Sequence, residues 1–399
     1  MEIKTGYKKT EVGVIPNDWN LIKLKNIVKE NKIPSGVYKP KSCYGQGIKI
    51  IKLSDVFASD YFSNDVAQEI ELRREEIANY NVKTGDIIIA LASVKLDGVG
   101  KVMLVNNLKE VTVFDHNVGL IRLIKDVNPR YVFYLFKSKF LRKLVALKAT
   151  HVGTTFLKTS AILEFILPVS PFKLEQKAIA EALSDADALI ESLEKLIAKK
   201  RQIKQGAMQE LLDPKKNWVK KSIIEIANCL DNLRIPLNDS QRSKMKGDYP
   251  YCGANGIIDY INSYCIDDSV ILIAEDGGYF DEYMYRPIAY KMSGKFWINN
   301  HVHILKSKED FDQDFLFYSL VHKNILSFLT SGTRAKLNRF ELNKIRLSLP
   351  KDKKEQENIS TILSEIDSEI LFLEKKLYKA HQIKQGMMHN LLTGRIRLL

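Results

Sequence analysis

The strongest pattern of hydrophobic and polar positions occurs in two long segments, neither of which contains proline or an early glycine. Apolar residues recur there at steps of four and three, with Glu and Lys on the flanking positions. They are Ile179, Leu183, Ala186, Ile190, Leu193 and Ile197 in the first segment, and Ile359, Leu363, Ile366, Ile370, Leu373 and Leu377 in the second. This spacing is typical of a coiled-coil seam. At a rise of about 1.5 Å per residue, each segment predicts a helix of about 57 Å.

The two segments are copies of one another. Residues 175–212 (EQKAIAEALSDADALIESLEKLIAKKRQIKQGAMQELL) align without gaps with residues 355–392 (EQENISTILSEIDSEILFLEKKLYKAHQIKQGMMHNLL), and 19 of 38 positions are identical. Self-similarity at a fixed offset indicates an internal duplication. Because the two seams match, we predict that the helices pair as an antiparallel coiled coil. The alternative is that each helix packs separately on its own domain as an ordinary amphipathic helix.

The regions that precede the two helices repeat as well, although more weakly. GDIIIALASV (residues 85–94) resembles DSVILIAEDG (268–277), and FDHNVGLIRL (114–123) resembles WINNHVHILK (297–306). Runs of β-branched residues bounded by turn residues predict strands. Each copy of the region is therefore predicted to contain two such strands.

A helix-like stretch and a glycine-led loop follow these strands in both copies. The stretches are YVFYLFKSKFLRKLV and FLFYSLVHKNILSFL, and the loops are GTTFLKTS (153–160) and GTRAKLNRF (332–340). The predicted fold is α+β, with two mixed α/β domains and two long helices in a pseudo-twofold repeat. The predicted order is a first domain (1–170), a first spacer helix (171–213), a second domain (214–350) and a second spacer helix (351–399).

The repeat also predicts that the chain closes on itself. Trp19 in NDWNLIKLKNIV matches Trp218 in KNWVKKSIIEIA, and Trp218 comes directly after the first long helix. A linear arrangement would leave the first domain with only one flanking helix. We therefore expect the N-terminal segment to pack beside the end of the last helix, with Trp19 next to LLTGRIRLL.

Composition bounds the class of protein. At 399 residues the chain exceeds the usual size of a single core. It has no apolar run long enough to cross a bilayer. The first twenty residues mix lysine and acidic residues without the apolar stretch of a secretory signal. These features lead us to expect a cytoplasmic protein.

Charge then suggests where a partner binds. The net charge is +13 and the pI is near 9.2, which favours a polyanionic partner. The helical segments 171–212 and 350–399 carry 16 Lys/Arg and 14 Asp/Glu, so +11 of the charge falls on the rest of the chain. We expect the domains, and not the helices, to meet the polyanion.

Motifs for catalysis and metal binding are missing from the sequence. Asn128-Pro129-Arg130-Tyr131 lacks the second proline of a base-flipping methyltransferase motif, and GVGK at 98–101 is followed by valine where a phosphate-binding loop needs Ser or Thr. His301-x-His303 fits strand alternation without a further ligand set, so we predict no metal. The cysteines are too dispersed for a zinc site and are predicted to be reduced: Cys43, Cys229, Cys252 and Cys265. Catalysis is expected to come from a partner.

With the duplication mapped, the chain resembles the specificity subunits of type I restriction-modification systems over nearly its whole length. The resemblance is carried by GYKKTEVGVIPNDW, by the EQ-led helices ending QIKQGAMQELL and QIKQGMMHNLL, and by YPYCGANGIIDYI, ILIAEDGG and FWINNHVHIL. One departure concerns the Pro-Pro pair that such subunits often carry before EQ. This chain has SPFKLEQ and LPKDKKEQ instead, which affects only the entry into the helices.

The resemblance implies two target-recognition domains, each reading one half of a bipartite DNA site, with the helices acting as a molecular ruler. It also implies two methyltransferase subunits and restriction subunits as partners. S-adenosylmethionine and ATP would be bound by those partners, so no cofactor is expected on this chain. Because the two domain sequences differ, the half-sites should be unlike.

Residues that contact DNA are predicted from chemistry. Base edges are read by short polar, amide or guanidinium groups on loops, and phosphates by Lys, Arg, hydroxyls and backbone amides. The candidates are Lys95, Lys101, His116, Thr154, Thr155 and Lys158 in the first domain, and Tyr251, Asn255, Arg334, Lys336, Asn338 and Arg339 in the second. Each could instead be an ordinary solvated loop residue.

Two other classes of protein remain as alternatives. A stand-alone DNA-modifying enzyme would need a cofactor pocket, which a methylation assay on the isolated chain would reveal. A coiled-coil scaffold would explain the helices but not the basic, duplicated domains, and salt-dependent retention on DNA separates that case.

Overall fold

A computed structural model describes residues 5–65, 68–330 and 335–398 of the chain. The chain divides into two compact units: unit 1, with residues 1–193 and 376–399, and unit 2, with residues 194–375. Each unit is α+β and contains a part of both long helices. The predicted fold class is confirmed.

Unit 1 is built from short strands and helices that precede the first long helix. The strands are β1 (Tyr7–Thr10), β2 (Gly13–Pro16), β3 (Asn20–Lys23), β4 (Tyr44–Ile51), β5 (Gln68–Ile70), β6 (Ile87–Ala90), β7 (Ala92–Ser93), β8 (Val102–Leu104), β9 (Thr112–Phe114), β10 (Val118–Ile121), β11 (Thr150–Val152), β12 (Thr154–Phe156) and β13 (Ile166–Val169). The helices are α1 (Leu53–Ala58), α2 (Arg74–Tyr80), α3 (Pro129–Lys137), α4 (Lys139–Lys148), α5 (Thr159–Leu163) and α6 (Lys173–Leu211), which continues into unit 2.

The central sheet of unit 1 has the order β10-β6-β8, and both pairings are antiparallel. Val118 lies opposite Ala90 in this sheet. A second sheet has the order β5-β4-β9, with β4 and β9 parallel. A third sheet has the order β11-β12-β7, in which Thr155 lies opposite Ser93.

Helix α3 forms the centre of the unit 1 core. Asn128 caps it by accepting hydrogen bonds from the next two backbone amides, and Pro129 occupies its first position. All six residues from Tyr131 to Phe136 are buried, so the helix is apolar around its whole circumference. The predicted single helical stretch is divided here, because Ser138 ends α3 and caps α4.

Unit 2 repeats this construction. The strands are β14 (Val219–Ser222), β15 (Ala227–Cys229), β16 (Lys246–Gly253), β17 (Gly256–Ile261), β18 (Ile266–Asp267), β19 (Val270–Ala274), β20 (Ala289–Met292), β21 (Lys295–Ile298), β22 (Val302–Ser307) and β23 (Arg346–Leu349). The helices are α7 (Ile223–Ile226), α8 (Asp239–Lys244), α9 (Gln313–Leu320), α10 (Arg339–Lys344) and α11 (Lys353–Leu391), which continues into unit 1.

The strand registers of unit 2 match those of unit 1. In the sheet β15-β22-β19-β20, Val302 lies opposite Ala274, as Val118 lies opposite Ala90 in unit 1. The second sheet has the order β17-β16-β21-β18. The predicted helical stretch after β22 is shorter than expected: α9 ends at Leu320, and a separate turn follows in which Asn324 accepts a hydrogen bond from the amide of Leu326.

The paired residues Glu-Gln at the start of each long helix join that helix to the sheet. In unit 1, the indole of Trp19 donates to Glu175 at 3.1 Å, and Gln176 accepts from the Asn128 amide at 2.8 Å. In unit 2, Trp218 donates to Glu355 at 3.3 Å, and Gln356 makes the corresponding bonds to Asp312 and Pro350. The conspicuous EQ pair of the sequence is therefore a structural anchor in both units.

The two long helices run antiparallel within each unit. In unit 2, Lys200 pairs with Glu369 and Lys204 pairs with Asp367. Residue numbers therefore decrease along α11 in the direction in which they increase along α6. In unit 1, Lys384 of α11 pairs with Asp187 of α6. Apolar seam residues of the long helices are buried in each unit, among them Leu193 in unit 1 and Ile197 and Ile370 in unit 2. The predicted antiparallel pairing is confirmed.

The predicted closure of the chain is also confirmed within unit 1. Trp19 is fully buried in one core with Leu391 and Leu392. The Tyr7 hydroxyl donates to the Gly394 carbonyl at 3.0 Å, and Arg397 pairs with Asp18 at 3.0 Å. Among the residues that the structure describes, no helix is long and apolar enough to cross a membrane.

Candidate nucleic-acid interface

Several loops of unit 2 meet at the end of strand β19. The β16–β17 turn joins this edge because the Asn255 side-chain amide donates to the Gly277 carbonyl at 2.9 Å. The turn before β22 joins it because His301 Nδ1 lies 2.9 Å from an oxygen of Asp276. A bridge between Asp276 and Lys336 adds the segment that precedes α10. Asn255, His301 and Lys336 therefore share one surface, which we call the β19 edge.

A charged network lies beneath the β19 edge. Glu275 accepts from Lys336 at 2.8 Å and from Arg234. Burial acts to raise the pKa of Glu275, but its bonds to Lys336 and Arg234 outweigh burial and leave the pKa below its ordinary value. Because Glu275 stays ionised, it pairs with Lys336 at the surface. The hydrogen bond between the two side chains raises the pKa of Lys336 above its ordinary value.

The remaining candidates of unit 2 have different environments. Asn338 caps α10 by accepting from the Glu341 amide at 2.9 Å, so its side chain has a structural role. Arg339 is exposed and donates to the Cys229 carbonyl at 3.3 Å. Tyr251 is 1% exposed and its hydroxyl bonds with Leu237, so the expectation that it lies on a surface loop is wrong. Arg334 lies outside the described residues.

In unit 1, strand pairing brings a similar set together. Because β12 pairs with β7, Thr154 and Lys158 lie on the same edge as the exposed Lys95, and Lys158 is at the N-cap of α5. We call this the β7 edge. Thr155 is buried, with its hydroxyl 2.8 Å from His151 Nδ1, so its predicted place on the surface is wrong. The cause is strand alternation, which turns neighbouring side chains to opposite faces.

His116 and Lys101 occupy two other parts of unit 1. His116 lies on the turn before β10, with Nδ1 3.2 Å from Asp115 Oδ2 and with its ring centroid 4.7 Å from that of Tyr38 in an edge-to-face arrangement. Lys101 lies over the ring of Phe57 at 5.8 Å and lines a surface cavity of about 390 Å³.

Sequence reasoning missed several side chains near these sites. Tyr38 is 75% exposed beside His116, and aromatic rings are common platforms for nucleic-acid bases. Lys137 and Arg142 line the cavity with Lys101. His301 could have been found from the alignment of FDHN with INNH, which places both histidines on the turn before equivalent strands.

The histidine pair of unit 2 has separate partners. His301 faces Asp276, whereas His303 is buried and faces Asp231. Among the described residues, Cys229, Asp231 and His303 offer potential ligand atoms within 4.8 Å of one another. Burial raises the pKa of Cys229 to about 12, which keeps this sulfur a thiol at neutral pH. A metal-free network remains our prediction.

Comparison with known proteins agrees with this architecture. The family model described as the type I restriction modification DNA specificity domain matches residues 16–205 and 215–381. A protein of Methanocaldococcus jannaschii, provisionally named the type I restriction enzyme MjaX specificity subunit, is 27% identical over 98% of this chain and 97% of its own length. A similarly named protein of Haemophilus influenzae is 38% identical over 33% of this chain and 32% of its own length.

A solved structure has the same fold. The S subunit of the type I restriction-modification system of M. genitalium superposes with a TM-score of 0.67, over 98% of both chains, at 16% identity. At this identity, the likeness concerns the fold alone. The two matched regions of the family model cover most of both units, and the chain therefore belongs to the type I restriction-modification DNA specificity family.

Proposed function

We propose that the chain is the sequence-specific DNA-binding subunit of a type I restriction-modification complex, with each unit reading one half of a bipartite, asymmetric target. The observation that carries this proposal is that the β7 edge and the β19 edge lie at equivalent places in the two units. The equivalent strands β6 and β19 lead into loops with different polar side chains. Equivalent geometry suits two similar DNA surfaces, and unlike side chains suit unlike sequences.

The chemistry of the edges supports separate roles for their residues. Lys95 and Lys158 in unit 1, and Lys336 and Arg339 in unit 2, suit phosphates because they are exposed cations. Asn255 and His301 suit base edges because an amide and an imidazole present donors and acceptors in fixed directions. Asn255 is held by Gly277 and His301 by Asp276, which limits their conformational freedom before DNA binds.

Catalysis belongs, in this proposal, to partner subunits. Two methyltransferase subunits would bind the duplicated chain with S-adenosylmethionine, and restriction subunits with ATP would join them. The internal duplication supports this arrangement, because two equivalent structural repeats suit two copies of one partner. The isolated chain should then bind DNA but lack methyltransferase, nuclease and ATPase activity, and stoichiometric S-adenosylmethionine binding to the pure chain would contradict this part.

Selection of bound duplexes from a random library tests the reading of DNA. The wild-type chain should enrich two short unlike motifs separated by a fixed spacer. Replacing the cations Arg334, Lys336 and Arg339 with alanine should weaken the docking of unit 2 on DNA, so that one motif is lost from the selected duplexes and the other stays intact. The same variant should reduce the salt slope by about 0.9 for each phosphate that the chain no longer neutralises.

A control variant separates this result from loss of charge alone. Replacing Lys216, Lys220 and Lys351 removes the same charge from exposed positions outside the β19 edge. This variant should retain both motifs. Equal loss of both motifs in the first variant, or loss of neither, would contradict the two-reader proposal.

A further inference from the structure

The β16–β17 hairpin of unit 2 exposes two neighbouring isoleucines. Ile257 is 45% exposed and Ile258 is 55% exposed. In a regular strand, neighbouring side chains point to opposite faces of the sheet. Here the register shifts, because Tyr251 lies opposite Asp259 but Cys252 lies opposite Ile257. Ile258 is therefore an additional residue in β17. Such a β-bulge bends the strand and redirects its side chains, and it leaves both isoleucines in contact with solvent.

Both isoleucines lie at the β19 edge. They line a surface cavity of about 360 Å³ together with Asn255, Gly277 and His301. Asn255 and His301 are the residues assigned above to base edges. Among the described residues that line this cavity, none carries a carboxylate. Apolar side chains thus adjoin hydrogen-bonding groups without a negative charge among them, which suits contact with a polyanion.

The hairpin is held in place by two side chains. The Tyr290 hydroxyl donates to the Gly253 carbonyl at 2.5 Å, and the Asn255 side chain donates to the Gly277 carbonyl at 2.9 Å. A Cβ atom on Gly253 would lie 2.1 Å from Cδ1 of Ile258. Ile258 therefore packs across the backbone of Gly253, because this glycine leaves the space for it. The isoleucine is positioned before any ligand binds.

The chemistry of base edges indicates which group fits this cavity. In the major groove, the C5 methyl of thymine is the apolar group that side chains contact, and the other recognised atoms are hydrogen-bond donors and acceptors. Single exposed apolar side chains are ordinary on a protein surface, whereas apolar groups with a polar rim mark binding sites. An apolar pair bordered by an amide and an imidazole is complementary to a thymine methyl beside polar base atoms.

We propose that Ile257 and Ile258 determine specificity at the second half-site by packing against the C5 methyl of a thymine. Asn255 and His301 then contact polar atoms of the same base pair or of the adjacent one. The second half-site therefore contains at least one A·T pair whose thymine methyl contributes to affinity. This inference rests on the proposed reading of DNA by unit 2.

Deoxyuridine is the direct probe, because it keeps the hydrogen-bonding edge of thymine and lacks only the C5 methyl. The full chain is measured against the duplex that it selects from a random library. Each thymine of both half-sites, on either strand, is replaced in turn. With the wild-type chain, at least one deoxyuridine in the second half-site should raise the Kd about fourfold, the effect of leaving one methyl-sized group in water.

A double variant assigns the methyl contact to the isoleucines. In Ile257→Ala/Ile258→Ala, the thymine and deoxyuridine duplexes should bind with equal Kd at the sensitive position, because the side chains that contact the methyl are removed. Ile224→Ala is the matched control. Ile224 is 56% exposed on α7, and its carbonyl accepts from Lys308, which follows β22 at the end away from the β19 edge. The control should keep the full difference between the two duplexes.

A milder variant covers the case in which the double variant does not fold. Ile258→Val removes one methyl group from the exposed side chain and should reduce the difference between the duplexes to about twofold. Discrimination at the first half-site reports folding in every variant, because unit 1 is unchanged.

The outcomes are distinguishable. The isoleucine contact is overturned if no thymine of the second half-site is sensitive in the wild type. It is also overturned if the double variant weakens both duplexes by the same factor, which indicates a structural role. A double variant that binds every duplex as the wild type does would assign the isoleucines to a partner protein and overturn the contact as well. If the wild-type chain enriches no motif from the library, the proposed function itself fails.

Discussion

In unit 1 and unit 2, the equivalent strand pairs β6–β10 and β19–β22 have the same register. The side chains that pack beside these strands differ between the units. Unit 1 uses Gly119 with Ile33 and Leu91, and its packing is purely apolar. Unit 2 uses His303 with Asp231 and Glu275, each of which is buried or nearly so. Apolar packing tolerates hydrophobic substitutions that conserve volume, whereas a buried charged network depends on every partner. Unit 2 should therefore be more sensitive than unit 1 to substitution of the residues beside its central strand.

The largest effect on stability should come from removing the Asp231 carboxylate from the charged network of unit 2. Asp231→Ala removes the buried carboxylate that contacts His303, accepts from the Ile304 amide and pairs with Arg234, and it should lower the free energy of unfolding of unit 2 by about 3 to 5 kcal/mol. Denaturant unfolding measures this change. Asp239→Ala is the control, because its carboxylate is exposed on α8 and should contribute less than about 1 kcal/mol. A loss for D231A as small as that of the control would contradict a stabilising role of this buried network.

The next effect compares the two glutamates that anchor the long helices. Glu175 is fully buried and is bonded to Arg397, so Arg397→Ala should destabilise unit 1 by about 2 to 3 kcal/mol. Glu355 is partly exposed, with Lys215 at 3.8 Å, so Lys215→Ala should change unit 2 by less than about 1 kcal/mol. Unfolding of the two variants in one denaturant series checks the contrast. Equal losses would show that closure of the chain adds nothing to unit 1.

A smaller effect on stability tests how tightly the apolar side chains around Gly119 in unit 1 are packed. Gly119→Ala places a methyl group 2.8 Å from Ile33 and should cost about 1 to 3 kcal/mol by overpacking. Gly206→Ala is the matched control, because nothing lies within 4 Å of its added Cβ on α6. It should stabilise by about 0.5 to 1 kcal/mol through helix propensity. A neutral G119A variant would mean that unit 1 has unused space at this position.

The smallest difference in stability between the units is expected at a Tyr–Asp hydrogen bond that both units contain. Asp187 accepts from the Tyr134 hydroxyl, and Asp367 accepts from the Tyr318 hydroxyl, each at 2.8 Å. Asp187→Asn and Asp367→Asn should each cost about 1 kcal/mol. The two values should agree within about 0.5 kcal/mol, as measured by thermal unfolding. A clear disagreement would restrict the structural equivalence to the backbone.

Much of the fold followed from local patterns. The heptad spacing of Leu183 and Leu363 predicted the long helices, because side-chain periodicity is a property of the chain itself. The repeat placed Trp19 beside the end of the last helix, because a duplicated sequence requires equivalent surroundings. The candidate surface was only partly predictable. Thr155 and Tyr251 look like surface groups by residue type, yet their strands turn them into the interior.

The sequence by itself determined the helices, the order of elements, the duplication and the family. These features depend on periodicity and on residue identity, which can be read without knowledge of contacts. Only the tertiary structure decided which side chains meet. Asp231, Glu275, His303 and Leu337 are up to 106 residues apart in sequence, and strand pairing alone brings them together. The two hydrogen-bond partners of the buried His303 ring follow from that pairing, because contacts between residues far apart in sequence leave no local pattern along the chain.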